Sequence, residues 1–392
     1  MKPCTCGFLT FAASIPQALA VLLSMISFKA IATPISYELV AVRDAGNRAD
    51  ATGFGSVGYE YQIGKYEVTL GQYTNFLNAV AATDTYGLYE PGMVGEPVLS
   101  SSGSRAASGI TRNGTPGKYT YTAIGPAGVA FGQSTINRPF AFATWYRAAR
   151  FANWMHNGMP NGPQEPGTTE TGAYTLNGLT NGAAVPRNPE AKYAIPTENE
   201  WYKAAYYDPA LNGGQGGYWA FATRSNTLPG NVVGGDANQA NWAPNFSGSP
   251  GSRYSLTQGY ALLPDQNFLT DVGAYVNSAS AYGTYDQNGN VSEWIAVSND
   301  NGATRGIRGG HWGTSGQSLS SGAGLASPYR IRIDPTQETW WIQDGFRLVA
   351  PVAVPEPTAT GVSLVVAGLF AIALRSQAKR GTQSSTNLLR DR

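Results

Sequence analysis

The sequence predicts an α+β fold with extensive irregular structure, and three observations carry that prediction. Three segments place apolar residues at helical spacing, two of them behind clear N-cap residues. Two short runs, 59–68 and 345–352, read as strands. Many glycine-rich turns separate these elements. Two long stretches, 83–135 and 208–270, are rich in Gly, Ser, Asn and Pro and read as loops kept for binding or left mobile.

In chain order, the first 32 residues read as a signal peptide. Lys2 precedes an apolar run, Ala18–Phe28, and Ala30-Ile31-Ala32 gives the small-x-small pattern of a cleavage site. A buried N-terminal helix is the alternative, but Pro16 and the polar switch after Ile35 oppose it. Both cysteines, Cys4 and Cys6, lie in this segment, ahead of the apolar run rather than after it as in a lipoprotein. Removal of residues 1–32 leaves a chain without cysteine. Such a chain has no disulfide, no thiolate nucleophile and no Cys-ligated metal.

A folded domain is expected over 33–351, long enough to bury about three quarters of its unfolded surface in one core. Its first helix starts at the N-cap Thr69, with Tyr73, Phe76, Leu77 and Val80 on one face. The second runs from Thr144 to His156, with Trp145, Ala148, Ala152 and Met155 aligned and Asn157-Gly158 as the stop. The third begins with Thr197-Glu198-Asn199-Glu200, a capping box with Thr at the N-cap and Glu at N3. The last segment, 352–392, holds Pro355-Glu356-Pro357, an apolar stretch at 358–374, and then Arg375, Lys379 and Arg380. Seventeen residues lie at the short limit for a transmembrane helix, which needs about 20, and the basic residues would stay cytoplasmic.

The formal net charge of +1 hides an uneven distribution. Two basic residues precede Ala32, and five follow Leu374 with one acid, so residues 33–374 hold 19 basic and 24 acidic residues, a net −5. That balance excludes nucleic acid as a partner and restricts membrane contact to the C-terminal segment.

Six ordered phrases run through the body. They are YQIGKYEVTLGQYTNFLNAV (61–80), RPFAFATWYRAARFANWMHNG (138–158), YAIPTENEWYKAAYYDP (193–209), YGTYDQNGNVSEW (282–294), RGIRGGHW (305–312) and DGFRLVAP (344–351). In this order and spacing the chain resembles the formylglycine-generating-enzyme, or sulfatase-modifying-factor, superfamily. The implied fold is a variant C-type-lectin-like one: α+β, loop-rich, with short helices on twisted antiparallel strands. The C-terminal segment resembles a PEP-CTERM sorting signal, although its tail after Arg375 is longer than usual. That resemblance implies processing by exosortase-type machinery in a Gram-negative bacterium that secretes exopolysaccharide. A plain C-terminal anchor is the alternative.

The family's enzymes oxidise a substrate cysteine with two copper-binding cysteines that follow the Arg-Gly-Gly-Ser phrase. The matching positions here are Thr314 and Leu319, and His311 stands where the family has Ser. Neither residue offers the soft thiolate that Cu(I) selects, so no copper is expected. A related branch uses three histidines for iron, but this chain has only two, His156 and His311. His156 ends a helix, where a cation suits the C-terminal dipole, and His311 beside Trp312 reads as a packed or cleft-lining residue. Glu198 and Glu200 look like an acid/base pair, yet the capping box accounts for Glu200. The glycines at 53, 55 and 58 lack the preceding strand and following helix of a dinucleotide site and read as a turn.

Residues 286–293, Asp-Gln-Asn-Gly-Asn-Val-Ser-Glu, contain the strongest two-residue hairpin signal. The resemblance implies calcium at this phrase, through the carboxylates of Asp286 and Glu293 and the carbonyls of Gly289 and Val291. Oxygen ligands of this kind suit a hard cation, and a metal-free turn is the alternative. A weaker second calcium site maps onto Asn241, Trp242 and Asp265. Two functions follow. One is an exported, non-catalytic binding or structural module of the envelope or extracellular matrix, whose Tyr and Trp content suits exopolysaccharide or another envelope protein. The other is an oxidoreductase or metal-assisted enzyme using non-cysteine chemistry.

Overall fold

The structure, a computed structural model, describes residues 35–94, 109–123, 135–182, 185–243, 253–261, 263, 266–296, 304–313, 324–333 and 344–352. Residues 1–32 with Cys4 and Cys6, the 358–374 span, and Asp265, Thr314 and Leu319 lie outside these residues.

Strand β1, Leu39–Val42, pairs antiparallel with β2, Tyr61–Gly64, and β2 pairs on its other edge with the last strand, Val349–Pro351. The expected strand over 59–68 thus shrinks to its centre. Gly64 N–H still bonds Leu348 O and Val68 N–H bonds Phe346 O, so the segment stays extended beyond the strand proper. The sheet ties the start of the body to its end.

Helix α1, Leu70–Val80, begins at Thr69, whose side chain accepts from Gln72 N–H while the Gln72 side chain accepts from Thr69 N–H. Its expected face, Tyr73, Phe76, Leu77 and Val80, is buried. Helix α2, Trp145–His156, starts at Thr144 and stops at Asn157, with Gly158 at φ +81° beyond it. Its spacing predicts one buried face, but Trp145 through Met155 are all buried. The polar residues on the other face are absorbed by partners: Arg150 makes a bidentate pair with Glu170 at 2.7 and 3.0 Å, and the Asn153 amide bonds Thr169 O and Tyr174 O. Helix α3, Glu198–Tyr206, has the expected capping box on both sides.

The two long loops contain strands that their composition hides. Within the first, β3, Ile110–Asn113, pairs with β4, Thr120–Ala123, and the Asn78 side chain of α1 bonds both backbone groups of Tyr121. At the start of the second, β5, Tyr207–Asp208, pairs with β6, Gly217–Tyr218. Turn glycines dominate the composition of such segments, while the strand signal rests on four residues or fewer.

The second main sheet runs in the order β10-β7-β8-β9. Its strands are β7, Ser292–Trp294; β8, Arg305–Arg308; β9, Ile331–Ile333; and β10, Asp344–Gly345. The expectation of antiparallel strands holds for β7-β8-β9, but β10 lies parallel to β7. The run at 345–352 is therefore split. It contributes Gly345 to this sheet and β11, Val349–Pro351, to the first, with Phe346-Arg347-Leu348 bridging them.

An aromatic core fills the space between α1, α2 and this bridge. Tyr73 stacks on Phe140 at 3.6 Å between centroids, Phe76 meets Phe151 and Trp154, and Phe151 meets Phe346 edge-on at 5.4 Å. These contacts hold the bridge against the helices and so fix the side chain of Arg347.

Candidate functional site

The chemistry of the site begins with a charge inside the fold. Glu293, in the middle of β7, and Arg347, in the bridge between the sheets, are both fully buried. Arg347 Nε donates to Glu293 Oε2 at 2.6 Å and Nη2 to Oε1 at 2.7 Å, while Trp201 Nε1 of α3 donates to Oε2 at 2.9 Å. The remaining guanidinium donors reach Gly64 O at 3.0 Å, Lys65 O at 3.3 Å and Tyr285 O at 2.8 Å. Neither charge lacks a partner, which a pair so deep requires.

A second layer surrounds the phrase that precedes β7. Glu67 Oε1 accepts from Val291 N–H at 3.3 Å, and Oε2 accepts from the Asn290 amide at 3.2 Å. Asn290 is itself a hub. Its Oδ1 accepts from Asn241 Nδ2 at 3.0 Å and Thr270 N–H at 3.1 Å, and its backbone carbonyl accepts from Trp312 N–H at 3.0 Å. Gly289 is confined by the same neighbours: at φ +84°, a Cβ there would lie 2.1 Å from Asn241 O. Asp286, also at positive φ, accepts from Gly273 N–H at 2.6 Å.

Three carboxyls, Glu67, Asp286 and Glu293, thus share one arginine. Burial pushes the Asp286 carboxyl up to about 6, reinforced by the Glu293 charge and opposed by the Gly273 N–H and Arg347. Burial likewise pushes Glu67 well above the usual carboxylate range, with Asp286 and Glu293 adding to the shift.

In this arrangement the two carboxylates expected to ligate calcium, Asp286 and Glu293, are turned to protein partners. Both Glu293 oxygens are engaged by Arg347, and one Asp286 oxygen is turned to the Gly273 amide. At the weaker site the Trp242 carbonyl accepts from Asn231 Nδ2 at 3.1 Å and Ser255 Oγ at 3.0 Å, and the Asn241 amide donates to Phe268 O and Asn290 Oδ1. Among the described residues no three His, Cys, Asp or Glu side chains are grouped as a metal centre. The cation that faces Glu293 is an arginine.

The Arg-Gly-Gly-His turn sits at the other edge of this layer. Gly309 and Gly310 have φ of +94° and +70°, and a Cβ on Gly309 would meet Gln287 O at 3.0 Å. His311 is half-buried; its Nδ1 accepts from Gly313 N–H at 3.1 Å, and burial lowers its pKa to about 4. The imidazole is neutral at pH 7. Trp312 is buried in a stack on Phe268 at 5.0 Å. His311, expected as a packed or cleft-lining residue, thus sits half-buried beside the buried Trp312.

The other two candidates are structural. Glu198 pairs with Arg308 and Arg330, and Glu200 pairs with Arg187 at 2.7 Å while closing the capping box. His156 differs from expectation: its Nδ1 accepts from Lys192 N–H at 3.0 Å, and burial with the nearby Lys192 charge lowers its pKa. It is a hydrogen-bond acceptor rather than a cation at the helix end. Glu67, Asn290 and Arg347 were not singled out from the sequence. The available signal was a charge embedded in an apolar phrase, Glu67 in Tyr-Glu-Val and Arg347 in Phe-Arg-Leu.

Comparison with known proteins now decides the family. A profile described as "Sulfatase-modifying factor enzyme 1-like domain" matches residues 54–352. The chain belongs to the sulfatase-modifying-factor family. Its mixed α+β architecture of short helices and mainly antiparallel strands fits the C-type-lectin-like fold of that family. Similar solved structures include CarF (19% identity, TM-score 0.45, covering 81% of this chain and 99% of CarF) and the Treponema denticola variable protein 1 (17%, 0.39, 81% and 96%). PvdO from Pseudomonas aeruginosa is a third (16%, 0.38, 81% and 92%). No curated protein matches the chain. Among the described residues no helix is long and apolar enough to cross a membrane.

Two outcomes follow for this sulfatase-modifying-factor-like site. Chelation of calcium leaves the melting temperature unchanged; a drop on chelation that added calcium reverses contradicts the internal arginine counter-charge. The second concerns pH. Because the folded pKa of Asp286 lies above its unfolded value, its ionisation costs stability above about pH 6, and that cost disappears as pH falls toward about 4. Asp286→Asn, which keeps the acceptor for Gly273, is therefore more stable than the native chain at pH 7.5 by roughly 2 kcal/mol, with the advantage reduced to about a third of that near pH 4.5. Urea unfolding of both proteins at the two pH values checks it; an equal difference at both contradicts it.

Proposed function

We propose that this protein is an exported member of the sulfatase-modifying-factor family that acts as a non-catalytic binding or structural module in the cell envelope or extracellular matrix. The observation that carries the reading is the absence of thiols. The only cysteines are Cys4 and Cys6, in the expected signal segment, and Thr314 and Leu319 stand at the positions matched to the family's copper-binding cysteines. Without a thiolate there is no soft ligand for Cu(I) and no sulfur to hold the substrate cysteine. His311 occupies the matching serine position with its Nδ1 accepting from Gly313 N–H, and an imidazole supplies no sulfur to hold the substrate cysteine.

Export is supported by the ends of the chain, and processing at the Pro355-Glu356-Pro357 segment would assign it to exosortase-type machinery. A body at net −5 is suited to soluble polymers or proteins rather than to nucleic acid or an anionic bilayer.

Incubation of the purified protein with copper and a sulfatase peptide containing the substrate cysteine tests the reading. The expected result is no aldehyde product above the protein-free control. Turnover of the peptide to formylglycine overturns it.

A further inference from the structure

An open groove of about 570 Å³ lies at the start of α1 and falls within the roughly 300–1,000 Å³ of ordinary ligand sites. One wall is the segment leading into β1, with Ile35, Tyr37 and Glu38; the other is formed by α1 and by residues 136–137 and 271–272. Glu67 lies on its floor, tied to Val291 and Asn290 behind it.

The polar groups of the groove select a class of ligand. Asn75 and Asn137 line it, and neither side-chain amide makes a hydrogen bond among the described residues. Each therefore offers a donor and an acceptor, the pairing that a hydroxyl group satisfies. The carboxylates at the rim are already matched: Glu38 with Lys65 at 3.2 Å, and Asp271 with Arg138 at 3.8 Å. With those charges paired at the rim, an ionic ligand gains little over a neutral one. In the same groove Ile136 is 46% exposed and Val272 adds a second apolar surface, suited to the C–H face of a sugar ring.

We propose that this groove binds a neutral saccharide chain, with Asn75 and Asn137 holding hydroxyl groups and Ile136 packing against a ring face. The inference rests on the reading of the protein as a binding module and gives that module its site and ligand chemistry. An anionic polysaccharide would bring charge to a rim whose carboxylates are exposed beside their partners. A protein partner would call for a wider apolar surface than these few residues supply.

An array of neutral oligosaccharides of glucose, mannose and galactose, with alginate as the charged comparison, tests it on the full chain. The expected result is binding to at least one neutral oligosaccharide, insensitive to added salt. Asn75→Ala and Asn137→Ala each weaken it about five- to tenfold at unchanged melting temperature. Ile136→Asp, at an exposed side chain, weakens it independently of the amides. No neutral oligosaccharide bound, or a preference for alginate, overturns the proposal. Saccharide binding that all three variants leave intact removes the groove while keeping the module reading. Aldehyde formation in the peptide assay instead removes the module reading itself.

Discussion

The buried pair between Arg347 and Glu293 is the interaction on which the rest of the structure depends. It joins stretches of chain from Gly64 to Arg347: the end of β2, the turn at Tyr285 with the nearby β7, and the bridge between the two sheets. A guanidinium is suited to this post because its planar fork meets a carboxylate with two parallel bonds and still has donors for three carbonyls. A lysine would reach fewer of these acceptors. The cost of burying both charges is offset only because every donor has found an oxygen.

That one positive charge also sets the state of its neighbours. Glu293 takes it directly, leaving Asp286 and Glu67 with a shared site and weaker compensation. Their raised pKa values come first from burial, with the neighbouring carboxylates adding to the shift. The Asn290 hub then holds the turn by hydrogen bonds rather than by ligation, linking Glu67, Asn241, Thr270 and Trp312. The phrase that would hold a metal in the expected reading is here part of an internal hydrogen-bonded frame.

Much of the fold was legible because it is written locally. Thr69, Thr144 and Thr197 each cap the helix that their neighbours' spacing predicts, and Asn157-Gly158 ends the second. The strands at 110–113 and 120–123 were hidden because a four-residue strand carries little periodicity beside glycine turns. The site was less legible for a different reason. Asp286 and Glu293 were visible as carboxylates in one phrase, but the partner that determines their chemistry, Arg347, lies more than fifty residues away in sequence. No local pattern announces such a pair. Likewise, Asn75 and Asn137 meet in one groove only because Leu70 and Gly71 bond the backbone of 136–138.

A double-mutant cycle on Glu293→Gln and Arg347→Met, followed by urea unfolding, tests the central claim most directly. The predicted result is a loss of about 3–5 kcal/mol for each single variant and a double variant no less stable than the worse single, because removing one partner strands the other's charge. Losses that simply add would contradict the claim and show that the two residues support the fold independently.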